Sequence, residues 1–211
     1  MQSSFSAGEC VEYGWNEFKQ RPAAYVLTTF VVMLIAAGVQ FAAAYLHKIG
    51  FLLWLIFFPI EWICIASVAR KGLRGAEPTL NDAFAPFTER QGDYLVVAIA
   101  MMSGAIACVV GAVASWYVFA FAPIYVLEGR DFKAALIESK DLVLKYPGET
   151  GMILVVVAAL YVAGALACGI GTLVTAPIGM LAFVKAHEQL TRPAILAAGA
   201  PEPGEPMPPT V

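Results

Sequence analysis

The chain has 211 residues, 60 % hydrophobic and only 14 % charged, with a formal net charge of −3. Soluble domains average about 45–50 % apolar and about 25 % charged residues, so this composition excludes a single water-facing globule and points to a polytopic membrane protein. Its basic residues lie between apolar runs and form no continuous patch, which argues against nucleic acid as a partner.

The opening residues carry acids and no basic n-region, so a secretory signal is not expected. Phe5, Val11, Trp15 and Phe18 recur at helical spacing, with Glu9, Glu12, Glu17 and Lys19 on the opposite side. This predicts a surface helix over 4–21, started by a Ser6/Glu9 capping box and ended by Pro22. Ala23 to Leu46 reads as a first membrane span. After the break at His47 to Gly50, Phe51 to Ala69 reads as a second, closed by Arg70, Lys71 and Arg74.

A second polar segment, Glu77 to Asp93, places Leu80, Ala83, Phe84 and Phe87 on one helical face, with Thr79 and Asp82 at capping spacing. The next stretch, 94–127, holds no formal charge. It is too long for one span of about 20 residues and a little short for two, and is read as a tight hairpin turning near Gly111 to Trp116. A third amphipathic helix is predicted from Asp131 to Tyr146, with Phe132, Ala135, Leu136, Ser139, Leu142, Val143 and Tyr146 inward. Pro147 ends it. A charge-free run between Glu149 and Lys185 forms the third hairpin, turning at Cys168 to Gly171. Residues 191–211, rich in Pro, Ala and Gly, read as a disordered tail.

The order of surface helix, span, span with Pro-Ile and basic exit thus occurs three times, with Pro59, Pro123 and Pro177 at corresponding places. The expected fold is all-α: a polytopic membrane bundle of six transmembrane helices in three hairpins, each preceded by a cytoplasmic amphipathic interfacial helix. The parallel repeat units cover about 4–75, 76–129 and 130–190 in a single membrane domain, 1–190. Gly104 to Gly111 and Gly164 to Gly171 share a small-residue pattern suited to close helix approach. Twelve of the 13 Lys and Arg residues fall on the side of the two termini and only Lys48 opposite. The positive-inside rule then makes both termini cytoplasmic.

Glu61 is the sharpest candidate for a site. It lies deep in an apolar run, where an ionised acid costs roughly 3 kcal/mol on insertion scales. It is read either as a neutral acid bonded to a carbonyl freed by Pro59 or as a proton, ion or ligand site. Gln40, Thr28, Thr29, Ser67, Ser103, Ser115, Thr172 and Thr175 are its candidate polar partners. Pro59, Pro123 and Pro177 are candidate helix kinks, equivalent by the repeat and shaping the bundle. Cys10, Cys64, Cys108 and Cys168 show no ligand spacing and read as packing residues. Neither metal, cofactor nor catalytic residue is expected, because no hydrolase elbow, zinc motif or phosphate loop is present.

Phe5 to Pro22 (FSAGECVEYGWNEFKQRP), Phe132 to Gly148 (FKAALIESKDLVLKYPG) and Thr175 to Leu190 (TAPIGMLAFVKAHEQL) give the chain its likeness to known proteins. It resembles bacterial six-span integral-membrane families of unknown function, including the membrane domain fused to some glycerophosphodiester phosphodiesterases. The phosphodiesterase domain is absent here, so the resemblance implies no catalytic residue. It implies a bacterial inner-membrane protein, non-enzymatic, with an envelope-, lipid- or partner-associated role. Membrane lipids, a second copy or another membrane protein are the expected partners. A small transporter or channel using Glu61 is the alternative, and an intramembrane enzyme the third.

Overall fold

The computed structural model describes residues 5–45, 50–103, 109–167 and 169–197, with backbone alone at 50–58, 109–110, 112 and 193–197. Every regular element among them is a helix: α1 (Ala7–Gln20), α2 (Pro22–Tyr45), α3 (Gly50–Leu73), α4 (Leu80–Glu89), α5 (Gln91–Met102), α6 (Val109–Val118), α7 (Ala122–Leu127), α8 (Phe132–Lys145), α9 (Pro147–Leu166) and α10 (Thr172–Ala197). The all-α expectation holds. Of the six expected spans, two are long and apolar enough by length and composition among the described residues, α2 and α9. Helix α5 ends after 12 residues, about 18 Å at 1.5 Å per residue, short of a hydrocarbon core of about 30 Å.

Three stretches of the described chain, starting at Ser6, Thr79 and Asp131 and called units below, share local geometry. Each surface helix starts at a capping residue. Ser6 accepts from the Glu9 amide at 3.3 Å, Asp131 from the Ala134 amide at 3.3 Å, and Thr79 pairs with Asp82 in a reciprocal box. Four residues on, Cys10, Ala83 and Ala135 are fully buried. Each surface helix then breaks at one residue of near-identical conformation, Arg21 (φ −141°), Arg90 (φ −142°) or Tyr146 (φ −129°), and the next helix starts at once. Pro22 and Pro147 sit at the first position of that next helix, where a missing amide costs no helical bond. Four residues past each break, Tyr25, Tyr94 and Thr150 are buried, and seven past it, Thr28, Val97 and Ile153.

The first two units also end alike. Gly75 (φ +75°) follows α3 and Gly129 (φ +92°) follows α7, and the next amide reaches back five residues, Ala76 N to Lys71 O and Arg130 N to Tyr125 O. This is the Schellman closure, whose left-handed residue favours glycine. The break residues staple these ends. Arg21 donates to the carbonyls of Gly75 (2.8 Å) and Ala76 (3.0 Å), and Arg90 to that of Val126 (3.4 Å).

Docking between units runs in one direction around a ring. Surface helix α4 of the second unit lies on α3 of the first, α8 of the third on α7 of the second, and α1 of the first on α10 of the third. A polar tie marks each place: Ser67 Oγ donates to Asp82 O at 2.6 Å, Ser139 Oγ to Val118 O at 2.9 Å, and Cys10 Sγ to Gln189 Oε1 at 3.4 Å. At Gly14 a β-carbon would come 2.6 Å from Ile178 O, so glycine lets α1 and α10 meet backbone to backbone.

Several expectations need correction. The second hairpin does not turn at Gly111 to Trp116, because α6 is helical there; α5 stops at Met102, and 104–108 lie outside the described residues. Splitting the charge-free stretch at its midpoint assumed equal arms. The prolines are not equivalent: Pro59 and Pro177 lie inside helices, whereas Pro123 opens α7 after a break at 119–121. Helix α10 runs past residue 191 to Ala197, so the tail read as disordered begins in a helix; 198–211 are outside the described residues. The buried stripe of α1 is Ala7, Cys10, Gly14, Glu17 and Phe18, while Trp15 is 46 % exposed. At Gly14 that face needs a small residue, because the α10 backbone lies against it. The third turn at 169–171 holds, with Gly169 at φ +76°.

Candidate functional site

In two junctions between units, the second arm of one lies along the first arm of the next: α3 against α5, and α10 against α2. The third junction departs from this pattern. Among the described residues α6 does not pack on α9 as a pair. Its arm is broken into α6 and α7, and the space left over is a cavity of about 830 Å³ bounded by α3, α5, α6 and α9. Such a volume lies in the range of ligand pockets, roughly 300–1,000 Å³. Val113, Val155 and Val162 line it and are also exposed on the bundle surface, so it opens sideways between α6 and α9.

The floor is aromatic. Trp62 meets Trp116 edge-on (ring centroids 5.4 Å), stacks with Tyr161 (6.5 Å) and meets Phe183 of α10 edge-on (5.3 Å). Its indole Nε1 is buried without a hydrogen-bond partner. At the end near the surface helices, Tyr117 Oη donates to Pro147 O at 2.5 Å and joins α6 to the start of α9. Beyond this pin, Met102, Leu154, Val157 and Ala158 make the wall apolar.

Glu61 is the one charged residue type among the described lining residues. Among the residues described with their side chains it has no hydrogen-bond or ion-pair partner; the carbonyl that Pro59 frees, that of Leu55, lies outside them. The residues expected as its polar partners are occupied or distant. Ser67 holds Asp82 O, Ser103 Ala100 O and Ser115 Met101 O. Thr172 bonds Gly169 O, Thr28 and Thr29 are buried in α2, Thr175 is buried without a partner, and Gln40 is exposed. Of the cysteines, Cys10 and Cys64 are buried and free, while Cys108 and Cys168 lie outside the described residues. Among the described residues no three His, Cys, Asp or Glu side chains converge as a metal site would need.

A second polar cluster joins the far ends of the three second arms. Arg70, 9 % exposed, pairs with Glu128 at 3.4 Å, and His187 Nδ1 lies 3.8 Å from the same carboxylate oxygen. Tyr125 meets the imidazole edge-on at 4.7 Å and Phe121 lies at 5.4 Å. Burial, helped by the Arg70 charge, pushes His187 down to about 3, so the ring is neutral. Burial lowers Arg70 to about 10 against the pull of Glu128, and raises Glu128 against the pull of Arg70 and Arg74. The sequence marks these residues only as exits from apolar runs, because their meeting depends on the ring closing.

Two further charged contacts bind the surface helices. Glu17, predicted for the solvated face of α1, is buried and accepts from Arg21 (2.9 Å) and Tyr25 Oη (3.2 Å). The signal was its spacing, four before an arginine and eight before a tyrosine. Asp82 accepts from Lys71 Nζ at 2.8 Å and from Thr79. Burial alone would raise its carboxyl, but these bonds outweigh it and hold it below the usual range. No family model, curated protein or solved structure matches this chain.

Proposed function

We propose that the chain is a non-enzymatic, multi-pass inner-membrane protein whose sideways cavity accepts an apolar or amphiphilic molecule from the bilayer. The reading includes six spans in three parallel hairpins, with both termini cytoplasmic. Its support in the fold is the outer surface. Leu27, Leu34 and Phe41 on α2 are 60–68 % exposed, and Val155, Val162 and Leu166 on α9 are 59–81 % exposed. Such continuous apolar surface suits lipid and not water.

The observation that carries the lipid-associated role is the sparse packing of α6 on α9 beyond the Tyr117–Pro147 bond, which leaves an apolar cavity open to the side of the bundle. Native mass spectrometry of the gently extracted protein tests it. The wild type is expected to retain a defined apolar species above the background of bulk lipid, and Ala158→Trp, which fills the cavity from α9, to lose it. Identical spectra from both would refute a ligand cavity. A transporter remains the second reading because Glu61 faces that cavity unpaired. It requires flux that Glu61→Gln abolishes.

A further inference from the structure

An apolar cavity meant only for acyl chains has no use for an acid. Glu61 lines this one beside the aromatic faces of Trp62, Trp116, Tyr117 and Tyr161. Trp62 packs against Trp116, Tyr161 and Phe183, which fixes an aromatic wall beside the acid. Among the described residues no cation answers Glu61. Arg70 is spent on Glu128 and Lys71 on Asp82, both at the ends of the bundle. A buried carboxylate left without a partner costs far more than one that is paired. Aromatic faces attract cations through their quadrupole, more strongly where water is excluded.

We propose that the cavity is a site for an organic cation with an apolar body, whose charge pairs with Glu61 among these rings. This rests on the cavity being a ligand site. The cation enters between α6 and α9, where the wall is Val113, Val155 and Val162, and no charged side chain of the lining meets it before Glu61. The carboxylate takes the positive end, and the surrounding rings take the apolar body. Neither bond-making nor proton transfer is involved. The volume of about 830 Å³ admits a drug-sized molecule, and one carboxylate in an apolar lining is far fewer oxygen ligands than a bare inorganic cation takes.

Tetraphenylphosphonium and tetraphenylborate, alike in shape and opposite in charge, test this by equilibrium dialysis against the full chain in nanodiscs, with empty nanodiscs subtracted. Wild type is expected to bind the cation about tenfold or more tightly than the anion. Glu61→Gln is expected to erase that preference and Glu61→Asp to keep it. Displacement of the bound cation by dodecylamine, or by phosphatidylethanolamine in the nanodisc, identifies a free amine or a lipid headgroup as its natural kind; displacement by neither overturns the assignment. Equal affinity for both probes, lost together in Ala158→Trp, would overturn the charge assignment while sustaining the cavity. Binding unchanged in Ala158→Trp would overturn both.

Discussion

Where α3 meets α5 and α10 meets α2, neighbouring units are sealed along their arms, but where α6 should meet α9 they are held apart and joined near one end by Tyr117 and Pro147. The sequence pattern is the same around the ring, so the difference lies in one arm. In the first and third units the Pro-Ile pair sits within an unbroken helix, and in the second it follows a break at 119–121. A proline inside a helix loses one bond and bends it. A proline starting a new helix loses none, and lets the two pieces point differently. One unit of a near-symmetric ring thereby gives up packing and gains a cavity.

The sealed side is most sensitive to added volume. Gly14→Val sets side-chain atoms against Ile178 O, 2.6 Å from the first added carbon, and against Ala182 N at 3.2 Å. Backbone cannot yield as a flexible side chain can. A loss of about 3 kcal/mol or more is expected, read as a lower thermal midpoint in mild detergent. A wild-type midpoint in that variant would mean that α1 is not docked on α10 as described.

Next in size is the cluster joining all three units. Glu128→Gln leaves the buried Arg70 charge without its partner, and because Glu128 is itself partly exposed the cost is set at about 1–3 kcal/mol, below that of a fully buried pair. The same cluster gives a pH dependence. His187 has a folded value near 3, below its ordinary 6.5. Above pH 6.5 it is neutral folded and unfolded and contributes nothing. Below that the unfolded chain takes up a proton that the folded one refuses, so stability falls from about pH 6.5 towards pH 3. Glu128 opposes this, since its raised value makes the folded state the better proton acceptor as the carboxyl protonates. His187→Gln is expected to flatten the thermal midpoint between pH 7 and 5; an unchanged slope would show that the ring is accessible.

The smallest effect tests the pin at the open junction. Tyr117→Phe removes one hydrogen bond, to Pro147 O, and should cost about 1 kcal/mol. Its value lies in the distance it changes. Spin labels on Val113 and Val162 are expected to show a broader α6–α9 distribution in the variant and an unaltered one in control pairs across α3 and α5. Equal widths would mean the junction is held by something other than that bond.

Local signals made the surface helices readable from sequence: Ser6, Thr79 with Asp82, and Asp131 start them, and Pro22 and Pro147 follow their ends. Pro59, Pro123 and Pro177 recur at similar intervals in the sequence, but their different places in the helices could not be read from it. Glu61 stood out because an acid inside apolar sequence needs no partner to be conspicuous. Its neighbours did not, since Trp62, Trp116 and Tyr161 are ordinary apolar residues until three helices bring them together. Cys10 differs in type from Ala83 and Ala135 and shares burial with them, so comparing letters could not align all three. The burial of Glu17 was hidden because helical periodicity separates apolar from polar, whereas Glu17 is buried through its bonds to Arg21 and Tyr25.

The contact between α1 and α10 also sets an order in time. Cys10 and Gln189, bonded in the finished fold, are 179 positions apart. Translation at about 5–20 residues per second leaves the small-residue stripe of α1 waiting on the order of ten seconds or more for the surface it fits. During that interval the first unit has no neighbour on that side, and its Ala7, Cys10 and Gly14 stripe is open to another chain at the same stage. Helix α10 is therefore the one that closes the ring, and a pause in synthesis before it would favour exchange of α1 between two nascent chains.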